Sequence, residues 1–254
     1  MSLTPKRRVP RWVLRRHPCT WERDWKPAGT SWVHTKTVLP PTVTLGNRVT
    51  IGRNAHIGEC VRIGDDSCIG DCVCLGDRVS LGNRVRLGNN CDLERDVVCR
   101  SRVHVELGVT IGRFTRLGND VRVGEYAYLC DDICLGNDVR LGRRSNIGRG
   151  VCLETGVRLG DSVDLGVAVQ LRANSRFTTS PLQIQGTRHL CYHAGPRWLG
   201  IGCRLHELSW WSENITQVSR NHCYTRKQLE EYRGYLQLFI ARDAALFPKA
   251  AAPC

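Results

Sequence analysis

The amino-acid sequence predicts a mainly β protein, built on one single-stranded parallel β-helix with a small α+β cap at its C-terminal end. Three observations lead to this prediction. Apolar residues recur every six positions from Leu45 to Phe177 without a slip in register. A small or β-branched residue stands two positions before most of them, and Gly follows 16 of the 22 large apolar residues from Leu45 to Leu171. The pattern is absent before residue 43 and after residue 177.

A period of six residues indicates strands and turns rather than helices. Side chains at positions i and i+2 point to the same side only in an extended strand. The polar or Gly residues that follow predict a turn, for which we expect glycine to supply the backbone freedom. Three strands and three turns return the chain to its starting point, and stacked coils then pair through parallel strands. One coil cannot bury its apolar side chains alone, but a stack of coils can.

The repeat over residues 43–177 resembles that of the hexapeptide-repeat, left-handed parallel β-helix family, which has about 18 residues per coil. The resemblance implies a left-handed coil, a trimer and an acyltransferase that uses coenzyme A or acyl carrier protein. In such enzymes the site usually lies between neighbouring subunits, contains a histidine as general base and often includes a loop inserted into the coil. This sequence departs from that pattern, because no insertion interrupts the repeat.

Residues 1–42 form a separate region that is basic and rich in tryptophan. The region holds nine Lys and Arg residues against two acidic residues, within a chain whose formal net charge is +13. Its tryptophans predict a cap over the open end of the first coil, since an uncovered sheet edge promotes aggregation. The alternative is a nucleic-acid contact, in which cations bind phosphate and aromatic rings stack on bases. The four tryptophans concerned are Trp12, Trp21, Trp25 and Trp32.

Residues 178–254 predict the α+β cap, with short strands followed by two helices. Thr225 and Gln228 have the spacing of a capping box and mark the start of the second helix. Apolar residues at helical spacing predict the buried face of each helix. In the first helix these residues are Leu208, Trp211, Ile215 and Val218, and in the second Leu229, Tyr232, Leu236 and Phe239.

One short string in the cap resembles a segment of phage-encoded and bacterial repeat proteins of unknown function. The string runs apolar-Gly-Cys-x-x-His-x-x-x-x-Trp, from Ile201 through Cys203 and His206 to Trp211, and leads into a helix. The resemblance implies the same layout of repeat and cap and a phage or bacterial origin. It implies no activity.

Two histidines within the repeat are the candidate catalytic residues. His56 and His104 both occupy the outward position before an apolar residue of the repeat. A general base needs an oriented partner and a substrate pocket, and the sequence predicts neither. A solvated surface position is therefore the preferred interpretation of both.

An outward column of basic residues is the candidate ligand-binding site. Residues 18 positions apart should stack on consecutive coils about 4.8 Å apart. Guanidinium groups in such a column suit phosphate or carboxylate ligands, although like charges on neighbouring strands repel. A solvated face partly balanced by Asp120 and Asp138 is the alternative. The column, called here the arginine column, consists of Arg86, His104, Arg122, Arg140, Arg158 and Arg176.

The cap contains enough Cys and His residues to raise the question of zinc. Four side chains could complete a tetrahedral site, but their spacing matches no standard zinc finger. We therefore predict no metal and no other cofactor. The four weak candidates are His189, His193, Cys203 and His206.

These features together favour a non-catalytic scaffold or binding protein, of phage origin by the resemblance of its cap, that recognises an anionic ligand or an acidic protein surface. The alternative is a hexapeptide-type acyltransferase that uses an acyl-CoA donor. Nucleic acid remains an open partner through the basic N-terminal region. We expect no membrane span. We also expect a homo-oligomer, which the resemblance implies to be a trimer. A cytoplasmic location is expected because no signal peptide is evident and the 14 cysteines suit a reducing compartment.

Overall fold

The repeat forms a β-solenoid with three parallel sheets. In the computed structural model, residues 9–17 and 22–247 are described. The chain visits the three sheets in turn, so each strand pairs with the strands 18 residues before and after it, as Arg86 does with Cys68 and His104. Backbone hydrogen bonds join consecutive coils, for example from Arg86 N to Val103 O at 2.9 Å. The predicted mainly β solenoid with a small α+β cap is therefore confirmed.

Each sheet is a stack of very short strands. The first sheet has ten strands: Trp25–Ala28, Ser31–His34, Thr50–Ile51, Cys68–Ile69, Arg86–Leu87, His104–Val105, Arg122–Val123, Arg140–Leu141, Arg158–Leu159 and Arg176–Phe177. The second has eight: Thr44–Leu45, Arg62–Ile63, Ser80–Leu81, Val98–Cys99, Arg116–Leu117, Cys134–Leu135, Cys152–Leu153 and Gln170–Leu171. The third has seven: His56–Ile57, Cys74–Leu75, Asp92–Leu93, Thr110–Ile111, Tyr128–Leu129, Asn146–Ile147 and Asp164–Leu165.

The apolar residues of the repeat form one continuous core along the solenoid. Leu87 is 3% exposed and Val85 is fully buried, whereas Arg86 between them is exposed. The inward and outward positions thus follow the predicted alternation. Burial of such side chains is the main favourable contribution to the stability of the stack.

At the corners of the coil, the residue with the left-handed backbone conformation is not the glycine that the sequence predicted. The left-handed residue lies three positions after the large apolar residue and is seldom glycine; Arg48 and Asn54, with φ of 55° and 51°, are examples. The glycine directly after the apolar residue serves another purpose. A Cβ at Gly46 would lie 2.7 Å from the backbone N of Asp65 on the next coil. Glycine is therefore favoured there because stacked corners approach closely, and not because the turn needs a positive φ.

The N-terminal region lies partly on the outside of the first sheet. Helix α1 (Arg11–Arg16) is followed by a 3-10 turn (Glu22–Asp24) and an antiparallel hairpin whose second strand extends the sheet by pairing with Thr50–Ile51. Trp32 is the outward partner of Thr50, and both are buried, because Val13 and Trp25 pack there. The hairpin thus covers the sheet edge, while the tryptophans pack outside the coil rather than over its open end. Trp21 lies outside the described residues.

The C-terminal cap contains a four-stranded antiparallel sheet and two helices. The strands are Gln183–Gln185, Leu190–Gly195, Trp198–Ile201 and Arg204–Glu207, and the helices are α2 (Leu208–Asn221) and α3 (Arg226–Leu246). The predicted capping box at Thr225 and Gln228 is present. Tyr192 and Ala194 join the solenoid core, and Arg172 N donates a hydrogen bond to Ala194 O at 2.8 Å. The cap therefore closes the last coil.

None of the helices in the described residues has the length and apolarity that a membrane crossing requires.

Candidate functional site

The arginine column is formed as the sequence predicts. Paired strands place Arg86 beside His104, His104 beside Arg122, and Arg122 beside Arg140. Arg158 and Arg176 continue the column. All six side chains are exposed on the first sheet. Five guanidinium groups and one imidazole therefore stand in line on one face of the solenoid.

One acidic residue near this face is paired with a corner arginine. Asp120, expected to balance the column, accepts two hydrogen bonds of 2.6 Å from the guanidinium of Arg102, a corner residue on the preceding coil. The same pairing recurs at another corner, between Arg78 and Asp96 at 2.7 Å. Within the described residues, no arginine of the column forms an ion pair. Arg122 also lowers the pKa of Asp120 through its charge, so partial balancing of the column by Asp120 and Asp138 stays a prediction.

A groove runs along the column at the level of His104. Its volume is about 410 Å³. Cationic side chains predominate in its lining, and Asp120 and Asp138 contribute two carboxylates. The complete lining consists of Arg84, Arg86, Arg102, Val103, His104, Asp120, Arg122, Asp138 and Arg140. The groove is thus shaped by two neighbouring columns, one on the strands and one at the corners.

The imidazole of His104 lies in the middle of this groove. Partial burial lowers the pKa of His104 below its ordinary value, and the adjacent cations Arg86 and Arg122 act in the same direction. The carboxylate of Glu106 opposes them. A histidine with a lowered pKa is neutral at pH 7 and can accept a proton. Of the two candidate histidines, His104 alone lies in this groove.

His56 lies on a different sheet. It is exposed at one end of the third sheet, where its strand pairs with Cys74–Leu75. The structure therefore does not bring the two repeat histidines together.

The four weak zinc candidates are not brought together either. His193 is fully buried and its Nε2 lies 2.8 Å from Asp243 Oδ1, whereas His206 stacks on the Trp210 ring at a centroid distance of 3.7 Å. His189 and Cys203 share a separate cavity in the cap. Within residues 9–17 and 22–247, no group of three His, Cys, Asp or Glu side chains is arranged to hold a metal ion.

The sequence placed two corner residues of the groove, Asp120 and Asp138, beside the column but did not predict the other two, Arg84 and Arg102. Arg84, Arg102, Asp120 and Asp138 lie on consecutive coils, 18 residues apart, each two positions before a residue of the arginine column. The same step of 18 that defined the strand columns would have revealed them. Arg84 and Arg102 were not predicted because the corners were expected to form turns and not part of a binding surface.

Comparison with known families identifies the repeat. The model of the family described as bacterial transferase hexapeptide (six repeats) matches residues 42–77. Residues 42–77 therefore belong to a hexapeptide repeat, and the same six-residue step continues along the solenoid. The predicted resemblance is therefore confirmed. A comparison with curated protein sequences finds no match.

Several solved acyltransferase structures are similar to this hexapeptide-repeat protein. UDP-N-acetylglucosamine O-acyltransferase (LpxA) from Moraxella catarrhalis RH4 is 13% identical, with 87% of this chain and 86% of that chain covered and a TM-score of 0.40. The UDP-N-acetylglucosamine acyltransferase from Campylobacter jejuni is 15% identical, with 86% of each chain covered and a TM-score of 0.36. The acetyltransferase domain of PglB from Neisseria gonorrhoeae FA1090 is 15% identical over 57% of this chain and 53% of that chain, with a TM-score of 0.24. Identities and TM-scores this low carry no functional conclusion for this protein.

Proposed function

We propose that this protein is a hexapeptide-type acyltransferase whose groove at His104 takes an anionic acyl donor of the acyl-CoA class. The single observation that carries the proposal is the His104 imidazole, set in one groove between the guanidinium groups of Arg86 and Arg122, which form no ion pair within the described residues. The family model, which describes a transferase repeat, supports this function over the non-catalytic scaffold.

The arginines of the groove suit the phosphates of such a donor. Arg86, Arg122 and Arg140 stand on the same face; strand spacing places Arg86 and Arg122 about 9.6 Å apart and Arg122 and Arg140 about 4.8 Å apart. Planar guanidinium groups bind phosphate oxygens through two parallel hydrogen bonds. Because these arginines have no ion-pair partner in the described part of the chain, they are free to make such contacts.

His104 would act as the general base. Its neutral imidazole accepts the proton of an acceptor hydroxyl or amine as the acceptor atom bonds to the acyl carbon. The thioester C–S bond then breaks, and the imidazolium returns the proton to the sulfur, so that the donor leaves as a thiol. Proton transfer by a positioned side chain contributes about 10²- to 10⁴-fold to rate. Glu106, which lies near enough to influence the pKa of His104, is the candidate partner for the imidazole.

The groove sets a limit on the acyl group. Val103 is the apolar member of its lining, and its side chain faces the solenoid core. An apolar tunnel for a long acyl chain is therefore absent from this groove, and we propose a short acyl group such as acetyl. By resemblance to its family, a neighbouring subunit of a trimer would supply the opposite wall. Light scattering of the full chain measures whether that trimer forms.

The test compares the two repeat histidines. In the wild-type protein, calorimetry should detect coenzyme A binding, and thiol release from acetyl-CoA should rise with a suitable acceptor. His104→Gln should lower transfer at least about 100-fold and leave coenzyme A binding intact. His56→Gln is the matched control and should change neither. Equal loss in both variants would overturn the role of His104, and absence of coenzyme A binding would overturn the proposal as a whole.

A second candidate function is a binding protein for an anionic partner without catalysis. The observation that favours it is the unbroken register of the coil, which leaves no inserted loop to close a reaction site. Replacing Arg122, Arg140 and Arg158 with Gln should sharply lower the salt concentration needed for elution from heparin. Arg62 and Arg116 lie on the second sheet and are the matched control pair. Retention of heparin binding together with absence of any acyl transfer would favour this second function.

A further inference from the structure

A cavity in the C-terminal cap lies apart from the solenoid groove. It is enclosed by the cap sheet, helix α2 and the beginning of α3, and its volume is about 110 Å³. Protein interiors contain few voids larger than a water molecule. Apolar cavities of roughly 150 Å³ are known to bind a single benzene ring. The cavity of this cap is smaller, but it is open on one side, so a single ring can enter it with one edge at the mouth.

Aromatic and aliphatic side chains form the inner walls. Trp211 and Tyr232 are each 1% exposed, and Ile201 and Ile215 are also buried. The polar atoms of these aromatic residues are already bonded within the protein. Trp211 Nε1 donates to Leu199 O at 2.8 Å, and Tyr232 Oη accepts a hydrogen bond from His189 N at 2.6 Å. The cavity interior thus presents carbon surfaces.

Basic groups lie around the mouth of the cavity. Arg204 and His222 are exposed lining residues, and His189 lies beside them. Within the described residues the Arg204 guanidinium forms no ion pair. The Tyr224 ring of the mouth is held by Arg188, whose Cζ lies 4.7 Å from the ring centroid. An acidic group placed here would meet cationic or hydrogen-bonding partners, whereas the walls below would contact only its carbon skeleton.

The cap string identified in the sequence converges on this cavity. Ile201, Cys203 and Trp211, three defined positions of the string, all contribute to the lining. Gly202 has a φ of +59°, and a Cβ there would lie 3.1 Å from the His189 ring. His206, the histidine of the string, packs edge-on against Trp211 at a centroid distance of 5.5 Å. The string thus builds and supports the walls of one cavity, which explains its composition without any metal.

We propose that this cavity binds a small aromatic carboxylate with a single ring. The ring would lie between Trp211, Tyr232 and Ile215, and the carboxylate would lie at the mouth beside Arg204 and His222. This site is independent of the acyltransferase proposal, because the two sites share no residue.

The test uses the full chain and benzoate as the probe. Calorimetry should show saturable binding of benzoate. Benzyl alcohol has the same ring without the charge and should bind about tenfold more weakly, and acetate has the charge without the ring and should not bind measurably. A hydrogen bond to a charged group accounts for a difference of this size. Benzyl alcohol binding as tightly as benzoate would overturn the proposal, as would absence of saturable benzoate binding.

Two substitutions locate the site. Arg204→Gln should weaken benzoate binding about five- to tenfold, whereas Arg226→Gln, an exposed arginine on α3, should not change it. Val218→Phe should fill the cavity and abolish binding, with Leu238→Phe on the exposed face of α3 as its control. Circular dichroism verifies that each variant folds. Because Arg204 is exposed, we expect Arg204→Gln to fold even if Val218→Phe does not, and its binding result decides the outcome. An unchanged affinity of Arg204→Gln for benzoate would overturn the proposed site.

Discussion

At the scale of the residue, stacked corners impose a steric requirement that differs from the usual one for turns. The residue with positive φ is commonly Asn, Asp or Arg, and the glycine beside the strand is selected by the backbone of the next coil. A Cβ at Gly142 would overlap the carbonyl of Gly160. Gly142→Ala should therefore lower the free energy of unfolding by about 1–3 kcal/mol. Chemical denaturation measures this change.

The matched control is Gly234→Ala in helix α3. A Cβ at Gly234 would have no neighbour within 4 Å. Because alanine favours the helix, this substitution should stabilise the protein by roughly 0.5–1 kcal/mol. Equal effects of the two substitutions would contradict the steric role of the corner glycines.

A buried histidine near the N-terminus predicts a dependence of stability on pH. Burial lowers the pKa of His17 from 6.5 to about 4. Between these two values the unfolded chain binds more protons than the folded one, so stability falls as the pH drops from about 6.5 to about 4. His17→Gln should flatten this part of the profile, measured as melting temperature against pH. An unchanged slope would assign the effect to other groups, such as His193, whose pKa burial also lowers.

At the scale of the element, buried hydrogen bonds to Asp243 join helix α3 to the cap sheet. Asp243 Oδ1 accepts hydrogen bonds from His193 Nε2 at 2.8 Å and from Arg197 N at 2.7 Å. Asp243→Ala would leave both donors without this acceptor, so we expect a loss of about 3 kcal/mol in the free energy of unfolding. Glu230→Ala removes an exposed ion pair on the same helix and should cost less than about 1 kcal/mol. Denaturant unfolding compares the two, and similar losses would argue against the anchoring role of Asp243.

At the scale of the whole molecule, the hairpin closes one end of the solenoid by extending a sheet. Removal of residues 1–42 would leave the edge of Thr50–Ile51 without its partner strand, and open edges promote association. We expect that truncated protein to aggregate, as light scattering would show. Removal of residues 1–17 leaves Ser31–His34 in place, so its product should stay far less aggregated. A monodisperse product from the longer truncation would contradict this role of the hairpin.

The sequence predicted those features that repeat and missed those that depend on contacts between distant segments. The six-residue repeat specified the inward residues, the outward columns and the position of the cap, because each repeat corresponds to one strand and one turn. The packing of Val13 against Trp32 has no such signal, since it joins a helix to the outer face of a sheet. The Arg102–Asp120 pair was missed because a corner side chain can reach either a strand or another corner. The cap cavity was not predicted either, as it depends on how two helices cover a sheet.

The unbroken register of the coil also determines which genetic changes the protein can tolerate. Duplication of residues 111–128 would insert one complete coil, and every residue outside it would keep equivalent neighbours above and below. Deletion of a single codon there would instead shift the six-residue repeat by one position. The following inward side chains would then face solvent until the register of the repeat was restored. Such a gene can therefore change in length by recombination between its own repeats in steps of 18 codons, and purifying selection should remove most shorter insertions and deletions.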